Sequence, residues 1–199
     1  MIRARENPFA SHRVDALAYR FEHGCWEELG TLLHRQGYRG AIIGPYGSGK
    51  TTLLEQLAKR LRIAGRESRR IFVNAQRPRL TAAQWREVWR AAARYEVVLI
   101  DGADLLPWWQ WQAVRCLCFR SGGLVVAAHR RCGLPVLHRC SSSVAQLRRL
   151  LADLDVPLTA DEARRLYEDH RGDIRAVFRA LYLRLAAGDI TGFAGRAAP

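Results

Sequence analysis

Lysine is almost missing from this chain: thirty of its 32 basic residues are arginine. That bias fits a surface for polyanions and equally fits the codon usage of a GC-rich genome, so charge alone names no partner. No apolar run approaches the ~20 residues of a membrane-spanning helix, so no membrane partner is expected. The charged start, Met1 to Glu6, has no apolar stretch behind it. No secretory signal is expected there, and the expected location is cytoplasmic. Cysteines number five, at Cys25, Cys116, Cys118, Cys132 and Cys140. An odd count without framework spacing excludes a disulfide scaffold and predicts free thiols in a reducing compartment. Cys116 and Cys118 lack the CxxC spacing of a zinc knuckle or redox site, so they read as small buried hydrophobes. Internal repeats and low-complexity segments are also missing.

What is present is enough apolar residue for a core: 49% of 199 residues. The length suits one α/β domain and a small appendage. The net charge of +13 is uneven. Residues 1–131 carry 22 Lys and Arg against 11 Asp and Glu, whereas 132–199 carry 10 against 8.

Apolar spacing sets out the elements. Val14, Leu17, Ala18 and Phe21 predict a short helix in a leading arm, and Trp26, Leu29, Leu32 and Leu33 predict a helix over 25–36. Ala41-Ile42-Ile43-Gly44 reads as a buried strand, followed by a helix over 50–64. Arg70 to Asn74 is the next strand. Thr81 and Gln84 have capping-box spacing before a helix carrying Trp85 and Trp89. Val97 to Ile100, ending at Asp101, is a third strand. Pro107 opens a helix over 107–120. Gly123 to Ala128 is a fourth strand. After Gly133 the chain turns helical. Thr159 and Glu162 form a second capping box, and Asp173 caps a last helix that ends near Ala187. Strands that are continuous apolar runs, alternating with helices, predict a parallel sheet covered on both faces.

One segment carries chemistry outright. Gly44-Pro45-Tyr46-Gly47-Ser48-Gly49-Lys50-Thr51 fits GxxxxGK[ST] at every fixed position, with a strand before it and a helix after. Glycines let such a loop wrap closely, with its N–H groups turned inward on phosphate oxygens. The helix behind it, continuing through Thr52, adds its positive end. Lys50 reaches the β and γ phosphates, and the Thr51 hydroxyl ligates Mg²⁺. The second element is Val97-Val98-Leu99-Ile100-Asp101, a Walker B-like strand. Its aspartate points into the ligand crevice and holds Mg²⁺ through water. ATP and Mg²⁺ are therefore the expected ligands. No NKxD-like segment for guanine is present.

A complete strand, Arg70 to Asn74, lies in sequence between these two elements. With it the chain resembles the additional-strand division of P-loop ATPases, and over about 38–187 a compact AAA+-type ATPase. The layout is similar to the small ATPases that assist transposition or load helicases, and to the origin-recognition type. The resemblance implies a three-layer parallel-sheet P-loop core with a small C-terminal helical lid. The implied domains are an arm at 1–37, a core at 38–140, a lid at 141–188 and a flexible tail at 189–199. It implies that His129, at the tip of the fourth strand, senses the γ phosphate. Arg175, in a sensor-2-like Gly172-Asp173-Ile174-Arg175, would reach over from the lid. Arg130, Arg131 and Arg139 hold positions suited to an arginine finger in an ATP-dependent homo-oligomer.

The chain departs from the family where a glutamate usually follows the Walker B aspartate. Gly102 stands there, and Asp104 is the nearest acid to orient the attacking water. Hydrolysis is accordingly expected to be weak or partner-stimulated. Trp108, Trp109 and Trp111 follow closely. Trp108 and Trp111 are expected on one helix face, either as packing or as a patch for a partner or single-stranded nucleic acid. Three functions fit: an ATPase switch acting on DNA or a DNA-bound protein, a small-molecule kinase, and a nucleotide-gated module that does not hydrolyse.

Overall fold

The computed structural model describes residues 7–156 and 158–188. The tail expected over 189–199 lies outside them. By their contacts the residues form two compact units, one of 23–44 and 49–140, the other joining 7–22 and 45–48 to 141–156 and 158–188.

The larger unit is built on a five-stranded sheet. In chain order its elements are α2 (Trp26–Arg35), β1 (Arg39–Ile43), α3 (Lys50–Ile63), β2 (Ser68–Phe72), α4 (Ala82–Ala93), β3 (Val97–Asp101), α5 (Trp108–Leu117), β4 (Gly123–Ala128) and β5 (Val136–Arg139); α1 (Ser11–Ala16) belongs to the other unit. The sheet order is β2-β3-β4-β1-β5, and every pairing is parallel. Strands β3 and β4 are buried at every position. Their unbroken apolar sequences follow from that, because both of their faces are covered. Alternate residues of the sheet, Ile71, Val98, Ile100, Leu124 and Val126, join Val88 and Ala91 of α4 and Trp111 and Val114 of α5 in one core. Helix α3 touches β1 to β4, yet none of its buried leucines belongs to that core, so it covers the opposite face. The result is the expected three-layer parallel α/β architecture.

The strand expected at Arg70 to Asn74 is present as β2, between β1 and β3 in sequence; within the sheet it lies at the edge and pairs only with β3, and β4 separates β1 from β3. The fifth strand was not anticipated. Of its four residues only Leu137 is buried, and they pair with β1 through a register shift at Ala41/Ile42.

The other unit is helical: α6 (Val144–Asp153), α7 (Ala160–Asp169) and α8 (Ile174–Ala187) accompany α1. Leu147, Leu151, Ala163, Val177, Phe178, Leu181 and Leu185 form its centre, which Phe9 joins, its ring 5.6 Å from that of Phe178. The expected capping box of Thr159 and Glu162 is formed, and Asp173 caps α8 through the Ala176 N–H. The arm helix stops at Ala16, where Leu17 turns to extended backbone, so the spacing of Leu17 to Phe21 does not continue a helix. That stretch is held by tertiary contacts instead. Tyr19 is buried, Arg20 pairs with Asp153 at 2.8 Å, and Glu22 accepts from Ser141 and Ser143.

All five cysteines are free thiols. Cys118 and Cys140 are buried, and burial pushes the Cys118 thiol up to about 11. Cys116 is exposed, on the outward side of α5, and departs from the expected buried set.

Candidate nucleotide-phosphate site

The sheet register decides where the chemistry collects. Ile43, the last residue of β1, lies beside Ala128 at the end of β4, and Asp101, the last of β3, lies beside Ala127. The segment from Gly44, the Asp101 carboxylate and His129 therefore leave one carboxyl edge of the sheet from three adjacent strands. In open parallel sheets that edge is where ligands bind.

Within the larger unit the lysine and threonine of the motif open α3. Gly49 precedes them in left-handed backbone, φ +85°, which glycine adopts without strain. Lys50 is only 7% exposed, and its Nζ donates to the Gly44 carbonyl at 2.8 Å. A buried ammonium needs such an acceptor, and a phosphate oxygen is a stronger one. The Thr51 hydroxyl donates to Asp101 Oδ2 at 2.8 Å. Donation leaves the Thr51 oxygen lone pairs available, and the carboxylate beside them supplies negative charge. Two hard oxygen donors of this kind suit Mg²⁺, which holds few protein ligands and takes the rest from water and phosphate. Thr52 follows in the first turn of α3. No cluster of three or more His, Cys, Asp or Glu fit for a metal occurs among the described residues.

The middle of the motif belongs to the helical unit. Ser48 is buried and donates to the Pro45 carbonyl at 2.8 Å, closing the turn around Tyr46 and Gly47. Gly47 is left-handed, φ +68°, and a Cβ built there would lie 2.0 Å from Asp173 Oδ1 and 2.9 Å from the Ile174 nitrogen. Only glycine fits against the start of α8. Sequence reading had placed Asp173 as a cap and missed this contact; no local pattern signals it. Arg175, two residues on, is exposed.

Around Gly102 the geometry is specific. Gly102 is left-handed, φ +80°, and a Cβ there would lie 3.0 Å from the Val73 carbonyl oxygen. A short 3-10 turn, Ala103–Leu105, follows and carries Asp104. Asp104 Oδ2 accepts from the His129 backbone N–H at 3.1 Å and stands 3.1 Å from His129 Nδ1. An ionised carboxylate only accepts, so the Nδ1 position must carry the imidazole proton for that contact to bond. Asp104 Oδ1 is buried with no hydrogen-bond partner among the described residues.

Of the remaining candidates, Arg130, Arg131 and Arg139 are all exposed. The tryptophans of α5 differ in burial. Trp111 is 8% exposed and donates its indole N–H to the Cys132 carbonyl at 2.9 Å, whereas Trp108 is 76% exposed. Trp108 is the first residue of α5, with no preceding turn to lie over, and Trp109 beside it is exposed too.

No protein-family model matches this chain, and no curated protein matches it. Solved structures do resemble it. The replication initiator DnaA bound to AMPPCP and single-stranded DNA gives a TM-score of 0.57 at 15% identity, over 81% of this chain and 60% of that one. A DNA replication initiation factor gives 0.57 at 16%, over 81% and 60%. AMPPCP-bound DnaA from Aquifex aeolicus gives 0.56 at 15%, over 87% and 64%. The chain spans 60% to 64% of the length of these structures. At such identity the likeness is one of fold alone.

Proposed function

We propose that this chain binds ATP with Mg²⁺ and works as an AAA+-type switch on a macromolecular partner associated with DNA. In this reading Gly44 to Thr52 hold the phosphates, with Lys50 on the β and γ oxygens, and Thr51 and Asp101 hold the metal. Bound Mg²⁺ would supply charge neutralisation across the β and γ phosphates. The observation that carries the reading is the 2.8 Å bond from Thr51 to Asp101, which joins the motif helix to the carboxylate of β3. Arg175 is assigned to the γ phosphate, and an arginine among Arg130, Arg131 and Arg139 to a neighbouring copy's nucleotide. The DNA association rests on the net charge of +13 and the exposed Trp108 and Trp109. It rests also on fold likeness to a replication initiator solved with single-stranded DNA.

Titration with a fluorescent ATP analogue tests the nucleotide reading. The wild type is expected to bind it in the presence of Mg²⁺. Lys50→Ala should weaken binding about tenfold or more, the scale of a lost hydrogen bond between charged groups. Thr51→Ala should abolish the dependence on Mg²⁺. Wild-type protein indifferent to the analogue with Mg²⁺ would sink the proposal.

Gly102 favours a second reading, a nucleotide-gated module that never hydrolyses. Zero phosphate release in single-turnover assays, with and without DNA, selects it. The small-molecule kinase is disfavoured by β4 standing between β1 and β3. Phosphate transfer to a metabolite without any macromolecular partner would restore it.

A further inference from the structure

We propose that Asp104 and His129 form a carboxylate–imidazole dyad that orients the attacking water for γ-phosphate cleavage, the task a glutamate at position 102 would otherwise perform. The inference rests on the nucleotide reading above and adds to it a hydrolytic site.

Position comes first. His129 follows Ala128 of β4, the strand lying between β1 and β3. The Gly44 N–H donates to the Ala128 carbonyl, and the Gly102 N–H to the Ala127 carbonyl. His129 thus emerges between the first residue of the phosphate motif and the aspartate of β3. Asp104, three residues after Asp101, meets His129 there, because the left-handed Gly102 turns the chain into the 3-10 turn.

The bonding then separates two roles within one carboxylate. Oδ2 accepts from the backbone and the ring of His129, which fixes the side chain and the imidazole tautomer. A structural staple of the β4 terminus needs no more than that. Oδ1 is buried and lacks any donor among the described residues. A buried carboxylate oxygen without a donor is costly, and a purely structural role leaves that cost unexplained. A water donating to Oδ1 meets the demand, and a positioned carboxylate can serve as a general base for it.

The step balances as follows. The water oxygen bonds to the γ phosphorus while the bond from that phosphorus to the β–γ bridging oxygen breaks. The bridging oxygen keeps the electron pair and leaves on ADP. One proton of the water passes to Asp104 Oδ1 and then to the released phosphate; the other stays on the new P–OH.

The test uses the full chain and separates binding from turnover. Asp104→Asn keeps an oxygen acceptor for the His129 N–H and removes the base. It should release phosphate about 10²-fold more slowly in single turnover, with DNA present as well as absent. Affinity for the Mg²⁺-bound fluorescent ATP analogue should change less than threefold, and the thermal midpoint should stay near that of the wild type. The double variant Asp104→Asn/His129→Asn should be no slower than Asp104→Asn alone, as groups acting as a unit require. A readout independent of turnover is the His129 ring in ¹H–¹⁵N spectra. It should carry its proton on Nδ1, lose that preference in Asp104→Asn, and shift when Mg²⁺, ADP and aluminium fluoride are added. Turnover within twofold of wild type in Asp104→Asn, or a His129 ring indifferent to the aluminium fluoride complex, would overturn the dyad. So would wild-type protein that binds nucleotide yet never releases phosphate, although the binding reading would then stand. Failure to bind nucleotide at all would remove both.

Discussion

Gly102 marks the limit of what a single letter conveys. In the sequence it is an absent side chain where a glutamate is expected. In the structure it is also a backbone at φ +80° whose missing Cβ direction is closed by the Val73 carbonyl, 3.0 Å away. A glutamate placed there therefore should not supply a working base. Gly102→Glu is expected to lose about 1–2 kcal/mol of stability, the cost of left-handed backbone in an ordinary residue, with no gain in single-turnover phosphate release. Urea unfolding and the turnover assay check this together. Unchanged stability with faster release would mean that the loop can take another path and that position 102 is open to a base. Lys50 and Thr51 were legible because they close a motif of fixed spacing, and Asp101 because it ends an unbroken apolar run. Asp104 was legible only as the nearest acid. Its pairing with His129 depends on β3 and β4 being neighbours, which no local pattern encodes.

At the scale of elements, legibility followed how much of each signal is local. Strands β3 and β4 announced themselves because burial on both faces demands unbroken apolar runs. Strand β5 did not: Val136-Leu137-His138-Arg139 sits at an edge, pairs only with β1, and keeps polar residues where solvent reaches them. The sequence reading also left α6 unnamed, although Ser143 caps it and Val144, Leu147 and Leu151 have helical spacing. The capping boxes were legible since they close within four residues. The box at α4 does more than stop fraying. Thr81 accepts from the Gln84 N–H at 3.2 Å, Gln84 Oε1 accepts from the Thr81 N–H at 2.9 Å, and Gln84 Nε2 donates to the Phe72 carbonyl at 2.7 Å. The start of α4 is thereby tied to the end of β2. Thr81→Ala is expected to cost about 1 kcal/mol. Gln84→Ala should cost at least as much, because it releases the strand as well. The double variant should fall short of the sum, since both residues serve one box. Additive losses in urea unfolding would show the two bonds to be independent.

For the whole molecule the open quantity is what the charge is for. A net +13 arises from codon bias or from contact with phosphates, and only the second leaves a salt signature. Each phosphate neutralised releases counterions, so affinity for duplex DNA falls with a log–log slope of about −0.9 per contact, and somewhat less for single strands. Exposed Arg77, Arg79, Arg86 and Arg90 lie on α4 and the loop before it, and Trp89 is exposed on the same helix. Contacts from three or four of these arginines predict a slope of about −2 to −3.6, according to the strand form. The measurement is a titration of fluorescent DNA across salt concentration, with and without ATP and Mg²⁺. Lys50→Ala serves as the control. It should keep the slope of the nucleotide-free wild type, because one buried lysine is not a DNA contact, and it should erase any difference that nucleotide makes. A slope near zero would assign the arginines to codon usage and take nucleic acid off the list of partners. A steep slope indifferent to ATP would leave a DNA-binding protein whose nucleotide site governs something else.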